Sequence, residues 1–210
     1  MSGEYIYTKP AEIEAASMRI IDDEMKTLGI ECADDDLDIV KRVIHTTADF
    51  DYGKNLMFTK GASNTARHRL QAGGATIITD TNMALSGVNK TGLERLDADA
   101  VCYMAREDIR KLAKDKGTTR AYASMKKGAE DHPDGIFAVG NAPTALIALE
   151  EKIHQGYMPE LVIAAPVGFV NVVAAKERIM AAGVPYICNR GRKGGSNVAA
   201  AICNAILYNL

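Results

Sequence analysis

The chain has no excess of basic charge: 25 Lys and Arg stand against 27 Asp and Glu, a formal net charge of −2. That balance excludes a protein that grips nucleic acid through a bulk positive field, so any anion must be held by local groups. No stretch approaches the roughly 18 uninterrupted apolar residues of a membrane span, and the acidic N-terminus lacks the apolar run of a secretory signal. A cytoplasmic protein with no membrane partner is expected. Cysteine is scarce and scattered: Cys32, Cys102, Cys188 and Cys203 have no metal-type spacing, and three of them fall in apolar runs. They read as reduced core thiols. No histidine or carboxylate pair stands at ligand spacing, which counts against a metal site. There is no G-x-x-x-x-G-K-[ST] loop, no G-x-G-x-x-G after the first strand and no G-x-S-x-G elbow, which weakens the Walker, Rossmann and hydrolase readings.

With 47% hydrophobic and 25% charged residues, the 210-residue chain can bury a large core and is read as one domain spanning 1–210. Its most informative stretch is Ile44-His45-Thr46-Thr47-Ala48-Asp49-Phe50-Asp51-Tyr52. A helix starting near Asp36 carries Leu37, Val40, Lys41 and Ile44 at helical spacing and ends at His45, beside its apolar face. His45 is the candidate reactive group. Arg42, three residues earlier, lies on the neighbouring turn, so both side chains can meet one anionic ligand. A half-buried structural histidine at a helix C-terminus is the competing account.

Residues 1–9 read as an extended lead-in. Pro10 opens a helix to about Lys26 whose apolar positions Ile13, Met18, Ile20, Ile21 and Met25 leave Ser17 near the buried side; Gly29 ends it. Asp34, Asp35 and Asp36 form an N-cap cluster for the next helix, and Phe50 to Met57 form an irregular connection. A helix over 60–70 follows, with Arg67, His68 and Arg69 as a solvated basic face. Five short runs then read as strands buried on both faces: Ala75–Thr79, Ala100–Met104, Gly135–Val139, Leu161–Ala165 and Val184–Cys188. Helices are expected at 82–97 with a break at Gly87, and at 105–128, 142–155, 171–182 and 195–207. The alternation predicts a three-layer α/β/α sandwich on a five-stranded parallel sheet, with extra N-terminal helices.

Ligands of such sheets collect beyond the carboxyl ends of the strands. There the sequence places Asp80, Asn141 in Gly140-Asn141-Ala142-Pro143-Thr144, Val167 and Gly168 in Pro166-Val167-Gly168-Phe169-Val170, and Arg190 and Arg192 in Asn189-Arg190-Gly191-Arg192-Lys193-Gly194-Gly195-Ser196. Together they describe an anion-binding rim, although each loop alone is also ordinary strand-to-helix turn chemistry. Arg192 to Ser196 is the strongest local case: two cations precede a glycine pair that opens a helix capped by Ser196 or Asn197. His132 and His154 read as surface residues.

Pro10-Ala11-Glu12-Ile13-Glu14-x-x-Ser17, Arg42 to Asp51, Gly140 to Leu146, Pro166 to Val170 and Arg190 to Ser196, in this order and spacing, resemble the precorrin-8X methylmutase family of cobalamin biosynthesis. The resemblance spans nearly the whole chain. It implies a flavodoxin-like sandwich and an isomerase that moves a methyl group from C11 to C12 of a corrin precursor, giving hydrogenobyrinate or cobyrinate, with no redox cofactor. It also implies that His45 is the active-site histidine, that Ser17 contacts substrate, and that Arg42 and Arg120 match family arginines. Ala174 and Ala175 before Lys176 depart from the usual family pattern, so no role for the polar pair found there carries over. The Thr-Thr-Ala-Asp-Phe-Asp sequence after His45 looks more like members serving the cobalt-early route; any cobalt would enter as part of the substrate. A macrocycle needs more wall than one strand-end crevice, so a homodimer is expected. A non-catalytic corrin carrier and a phosphate-ester or nucleotide enzyme on the same fold stay open as alternatives.

Overall fold

The computed structural model describes residues 9–208 and 210, so residues 1–8 of the expected lead-in lie outside the described residues. The described chain runs α1 (Pro10–Thr27), α2 (Asp34–Thr47), α3 (Asp51–Asn55), β1 (Leu56–Phe58), α4 (Ala62–Gln71), β2 (Thr76–Thr79), α5 (Asn82–Gly87), α6 (Lys90–Arg95), β3 (Asp99–Val101), α7 (Glu107–Asp115), α8 (Arg120–Asp131), β4 (Ile136–Val139), α9 (Pro143–His154), β5 (Leu161–Ala164), α10 (Val172–Ala181), β6 (Tyr186–Asn189) and α11 (Ser196–Tyr208).

All five expected strands form, and they pair in parallel. The sheet nevertheless has six strands, ordered β1-β6-β5-β4-β2-β3, because β1 joins as an antiparallel edge on β6. The sheet is therefore mixed, and the connection expected to be irregular supplies both the short α3 and this edge strand. Three residues, Leu56 to Phe58, are too few for a periodicity to be read, and their pairing with Ile187 to Asn189 is non-local. Counting the parallel strands alone, the order is 2-1-3-4-5, and it reverses direction between β2 and β4.

The strands are apolar on both faces, so two cores form. Ile77, Ile136, Leu161, Ile163 and Ile187 point into one, closed by α1, α2, α4 and α11. Ile78, Phe137, Val139, Val162 and Ala164 point into the other, closed by α7, α8, α9 and α10. Three layers result, as the alternation required.

Several boundaries differ from the sequence reading for identifiable reasons. Asp34, Asp35 and Asp36 form the first turn of α2 with Ala33 as its N-cap, so the carboxylates complement the helix dipole instead of capping it. The expected helix over 105–128 divides into α7 and α8, where Gly117 adopts φ +61° and Thr119 caps α8 by accepting the Tyr122 N–H. In α1, Ile13 and Ile20 are 46% and 57% exposed, because residues 20 and 21 lie 100° apart and only one can face the core. The basic triplet is not a solvated face either: Arg67 Nη2 donates to both carboxylate oxygens of Asp38, Arg69 reaches Asp134 and the Gly73 carbonyl, and of the three only His68 is exposed.

Candidate active site

Helix α2 runs through His45 to Thr47. Thr46 and Thr47 are absorbed because their hydroxyls donate to the carbonyls of Arg42 and Val43, four residues back (2.9 and 2.8 Å). Ala48 then ends the helix in the left-handed region at φ 51°. The side of α2 formed by Ile39, Val40, Val43 and Ile44 is buried, whereas His45 is exposed at its margin. The half-buried structural histidine is therefore not what the structure contains.

His45 stands where two surface cavities meet. One, of ≈ 690 Å³, is lined by Pro10, Ile13, Glu14, Arg42, His45 and Tyr208. The other, of ≈ 390 Å³, is mostly apolar and brings Ser17, Ile20 and Phe50 beside His45. Both volumes suit small-molecule ligands. Ser17 donates its hydroxyl hydrogen to the Ile13 carbonyl (2.9 Å), which leaves its oxygen able to act as an acceptor. Arg42 is held between Glu14 (2.9 Å) and the Tyr208 ring, 5.2 Å from the guanidinium carbon. Ser17, Arg42 and His45 are thus gathered into one region, and Tyr208 and Glu14 join them. Neither of those two is a site candidate in the sequence, since Tyr208 lies outside every motif and Glu14 enters only as part of the Pro10–Ser17 stretch.

The strand-end residues form a second group, which lines neither cavity. Asp80 lies at the reversal point between β2 and β4 and is fully buried. Its carboxylate accepts the N–H groups of Gly140, Asn141 and Ala142 at 2.8, 2.8 and 2.7 Å. Burial pushes its pKa up more than these three donors pull it down. Asp80 is thus a fastening beneath the Asn141 loop, with no face toward a ligand. Thr119 and Thr144 share a hydrogen bond of 2.8 Å, which places Arg120 beside that same loop. The Gly168 N–H donates to the Arg192 carbonyl (3.2 Å), joining the loops after β5 and β6, and Arg192 lies 5.5 Å from the Phe169 ring centroid. Gly140 and Gly194 allow these loops to approach: a Cβ at Gly140 would stand 2.6 Å from the Ser196 Cα, and one at Gly194 2.2 Å from the Ala165 carbonyl oxygen.

The loop Arg192 to Ser196 departs from the simple anion cradle read from the sequence. Lys193 is committed to Asp49 (2.6 Å) and Asp51 (3.1 Å), and it holds the Asp49 carboxyl below its ordinary pKa. Ser196 is buried, its hydroxyl 2.8 Å from that of Thr81. The Lys193 pairs have a different use: they tie the strand-end rim to the segment four to six residues beyond His45. Arg120, Arg190 and Arg192 are exposed and make no ion pair among the described residues. His132, by contrast, is half-buried, with Nε2 2.9 Å from the Tyr103 hydroxyl, while His154 is exposed as expected. All four cysteines are free, Cys188 and Cys203 buried and the other two half-buried. Among the described residues no three His, Cys, Asp or Glu side chains are grouped to hold a metal, and no helix is long and apolar enough to cross a membrane.

A doubly wound α/β domain with an exposed acid–base side chain in a cleft and unpaired arginines beyond its strands has the construction of a small-molecule enzyme whose ligand is anionic. The sequence profile of the precorrin-8X methylmutase family matches residues 12–209. The cobalt-precorrin-8 methylmutase of Priestia megaterium is 39% identical over 199 residues, covering 94% of this chain and 87% of that protein. The enzyme of the same name from Salmonella typhimurium is 42% identical over 173 residues, 82% of this chain and 80% of its own. The solved precorrin-8x methyl mutase of Thermus thermophilus superposes with a TM-score of 0.83 at 38% identity, covering 93% of this chain and 96% of that one. The chain belongs to the precorrin-8X methylmutase family, isomerases of cobalamin biosynthesis.

Proposed function

We propose that this protein moves the C11 methyl group of precorrin-8X, or of its cobalt form, to C12, giving hydrogenobyrinate or cobyrinate, with His45 as proton donor and acceptor. The observation that supports it most is an exposed histidine at the meeting of an apolar cavity and an arginine-bearing one, within a chain matched along nearly its whole length to methylmutases. A methyl shift breaks the C11–CH3 bond as the C12–CH3 bond forms, and the ring's double bonds move to compensate. Composition and oxidation state are unchanged, so the reading assigns no redox cofactor, and cobalt, where present, belongs to the substrate. A positioned acid that protonates or hydrogen-bonds the ring lowers the barrier and selects the product tautomer, worth about 10²–10⁴ in rate.

In this reading Ile20 and Phe50 supply apolar wall to the macrocycle, while Ser17 offers an acceptor. Arg42, Arg120, Arg190 and Arg192 bind the rim carboxylates, which guanidinium forks match. Asn141, Val167 and Gly168 shape the ledge between those arginines, and Asp80 contributes through the loop it fastens. The two residue groups are open to solvent in one copy, so the site is completed by a second copy of the chain.

Absorption spectra of the protein mixed with precorrin-8X or cobalt-precorrin-8 test this, wild type beside His45→Ala. The wild type is expected to convert the spectrum to that of the corrin product, while His45→Ala binds and converts about 10²–10⁴-fold more slowly. Undiminished conversion by the variant would remove His45 from the chemistry. Binding without conversion by both proteins would make the protein a corrin carrier, and binding of nucleotides instead would favour the phosphate-ester reading.

A further inference from the structure

Lys176 of α10 is 1% exposed. Its ammonium donates to the carbonyls of Gly191 (2.9 Å) and Lys193 (2.7 Å) and forms no ion pair among the described residues. Asn189, also buried, donates from Nδ2 to the carbonyls of Arg190 (3.3 Å) and Lys193 (2.9 Å). Two buried side chains therefore draw the carbonyls of Arg190, Gly191 and Lys193 inward. Across a trans peptide the next N–H points the opposite way, so the amides of Gly191 and Arg192 are turned outward, toward the side where Arg190 and Arg192 are exposed. A buried ammonium without a counter-charge is costly, and carbonyl dipoles offset only part of that cost.

We infer that Lys176 is a positioning residue whose ammonium fixes the 189–194 loop from beneath and supplies buried positive charge to a substrate carboxylate lying on the loop's outer side. The carboxylate, held by the outward amides and by Arg190 and Arg192, is the counter-charge the interior lacks. The inference rests on the corrin-precursor reading above.

Burial lowers the Lys176 pKa to about 8. The titratable group facing it is the Cys188 thiol on β6, which burial pushes up to about 12, so it stays neutral. Arg190 carries a fixed charge, and Lys193 is held charged by Asp49 and Asp51. A bound anion favours the ammonium and so raises the Lys176 pKa in the complex. The sign follows: affinity is full below about pH 8 and falls as the unliganded protein loses this proton.

Equilibrium absorption titration of the full-length protein with the corrin product, from about pH 7 to about pH 9.5 at fixed ionic strength, reads this directly. The wild-type Kd should be level below the break and rise by up to about tenfold per pH unit above it. Lys176→Arg, which keeps donors and charge, should bind with a level Kd throughout. Lys176→Met should bind about tenfold or more weakly at neutral pH, with no pH dependence, while its kcat at saturating substrate stays within about threefold of wild type. Wild-type affinity and pH dependence in Lys176→Met would overturn the inference, as would weakened binding that keeps the wild-type pH slope, the mark of a merely structural role. Should Lys176→Met not fold, a level wild-type Kd across the range overturns it alone. No corrin binding by the wild type at all overturns the functional reading and this inference with it.

Discussion

Asp80 is the residue on which the strand-end rim depends most. Three backbone N–H groups converge on its buried carboxylate, and its removal leaves donors that water cannot easily reach. Each unsatisfied buried donor costs about 1–3 kcal/mol, and relaxation of the loop recovers some of it. Asp80→Ala is expected to destabilise the fold by about 3 kcal/mol, lowering Tm by roughly 6–12 °C for a chain of this size. Asp80→Asn keeps one acceptor oxygen but turns an NH2 toward another donor, so it should fall between the two. Thermal unfolding by circular dichroism measures both, and an unchanged Tm in Asp80→Ala would show that the carboxylate does not hold the loop. The sequence alone could not separate this role from ligand binding: an aspartate at a strand's carboxyl end serves either, and only the three partner amides decide.

At the scale of elements, α2 delivers His45, and its end is strained. Ala48 sits at φ 51°, where a Cβ is unfavourable by about 1 kcal/mol. Ala48→Gly should therefore stabilise the protein by about 0.5–1 kcal/mol and raise Tm by about 1–4 °C; a lower Tm would mean that the lost methyl in the Ser17–Phe50 cavity matters more than the backbone. The same element marks how far the sequence could be read. Apolar spacing through Ile44 located the helix and the margin on which His45 stands, and the apolar β-branched runs located all five parallel strands within a few residues. What stayed hidden was non-local. The edge strand β1 exists because β6 offers it backbone partners, and the bonds of Lys193 to Asp49 and of Ser63 to Asp36 join residues far apart in the chain. Lys176 lay inside an apolar helix pattern with nothing to mark it as buried, since lysine in such a position ordinarily reaches solvent.

For the whole molecule, large apolar side chains are exposed both beside His45 and at the carboxyl ends of the sheet. Phe169 and Val170, on the loop after β5, are 83% and 76% exposed, Met83 at the start of α5 is 73% exposed, and Ile20 at 57% stands beside His45. Scattered apolar residues are ordinary on any surface, but exposed apolar side chains at both residue groups suit a covered face. A flat tetrapyrrole has two faces, and the cavities around His45 can cover one of them. A second copy over the same region would cover the other and exclude water from the migrating methyl group. Light scattering is thus expected to give about twice the 22.6 kDa chain mass, about 45 kDa. Specific activity per chain should fall on dilution as the pair dissociates, with KM rising before kcat is lost. A 22.6 kDa species with full, concentration-independent activity would mean that one copy encloses the ring by itself, and the exposed Phe169 loop would then have to close over it.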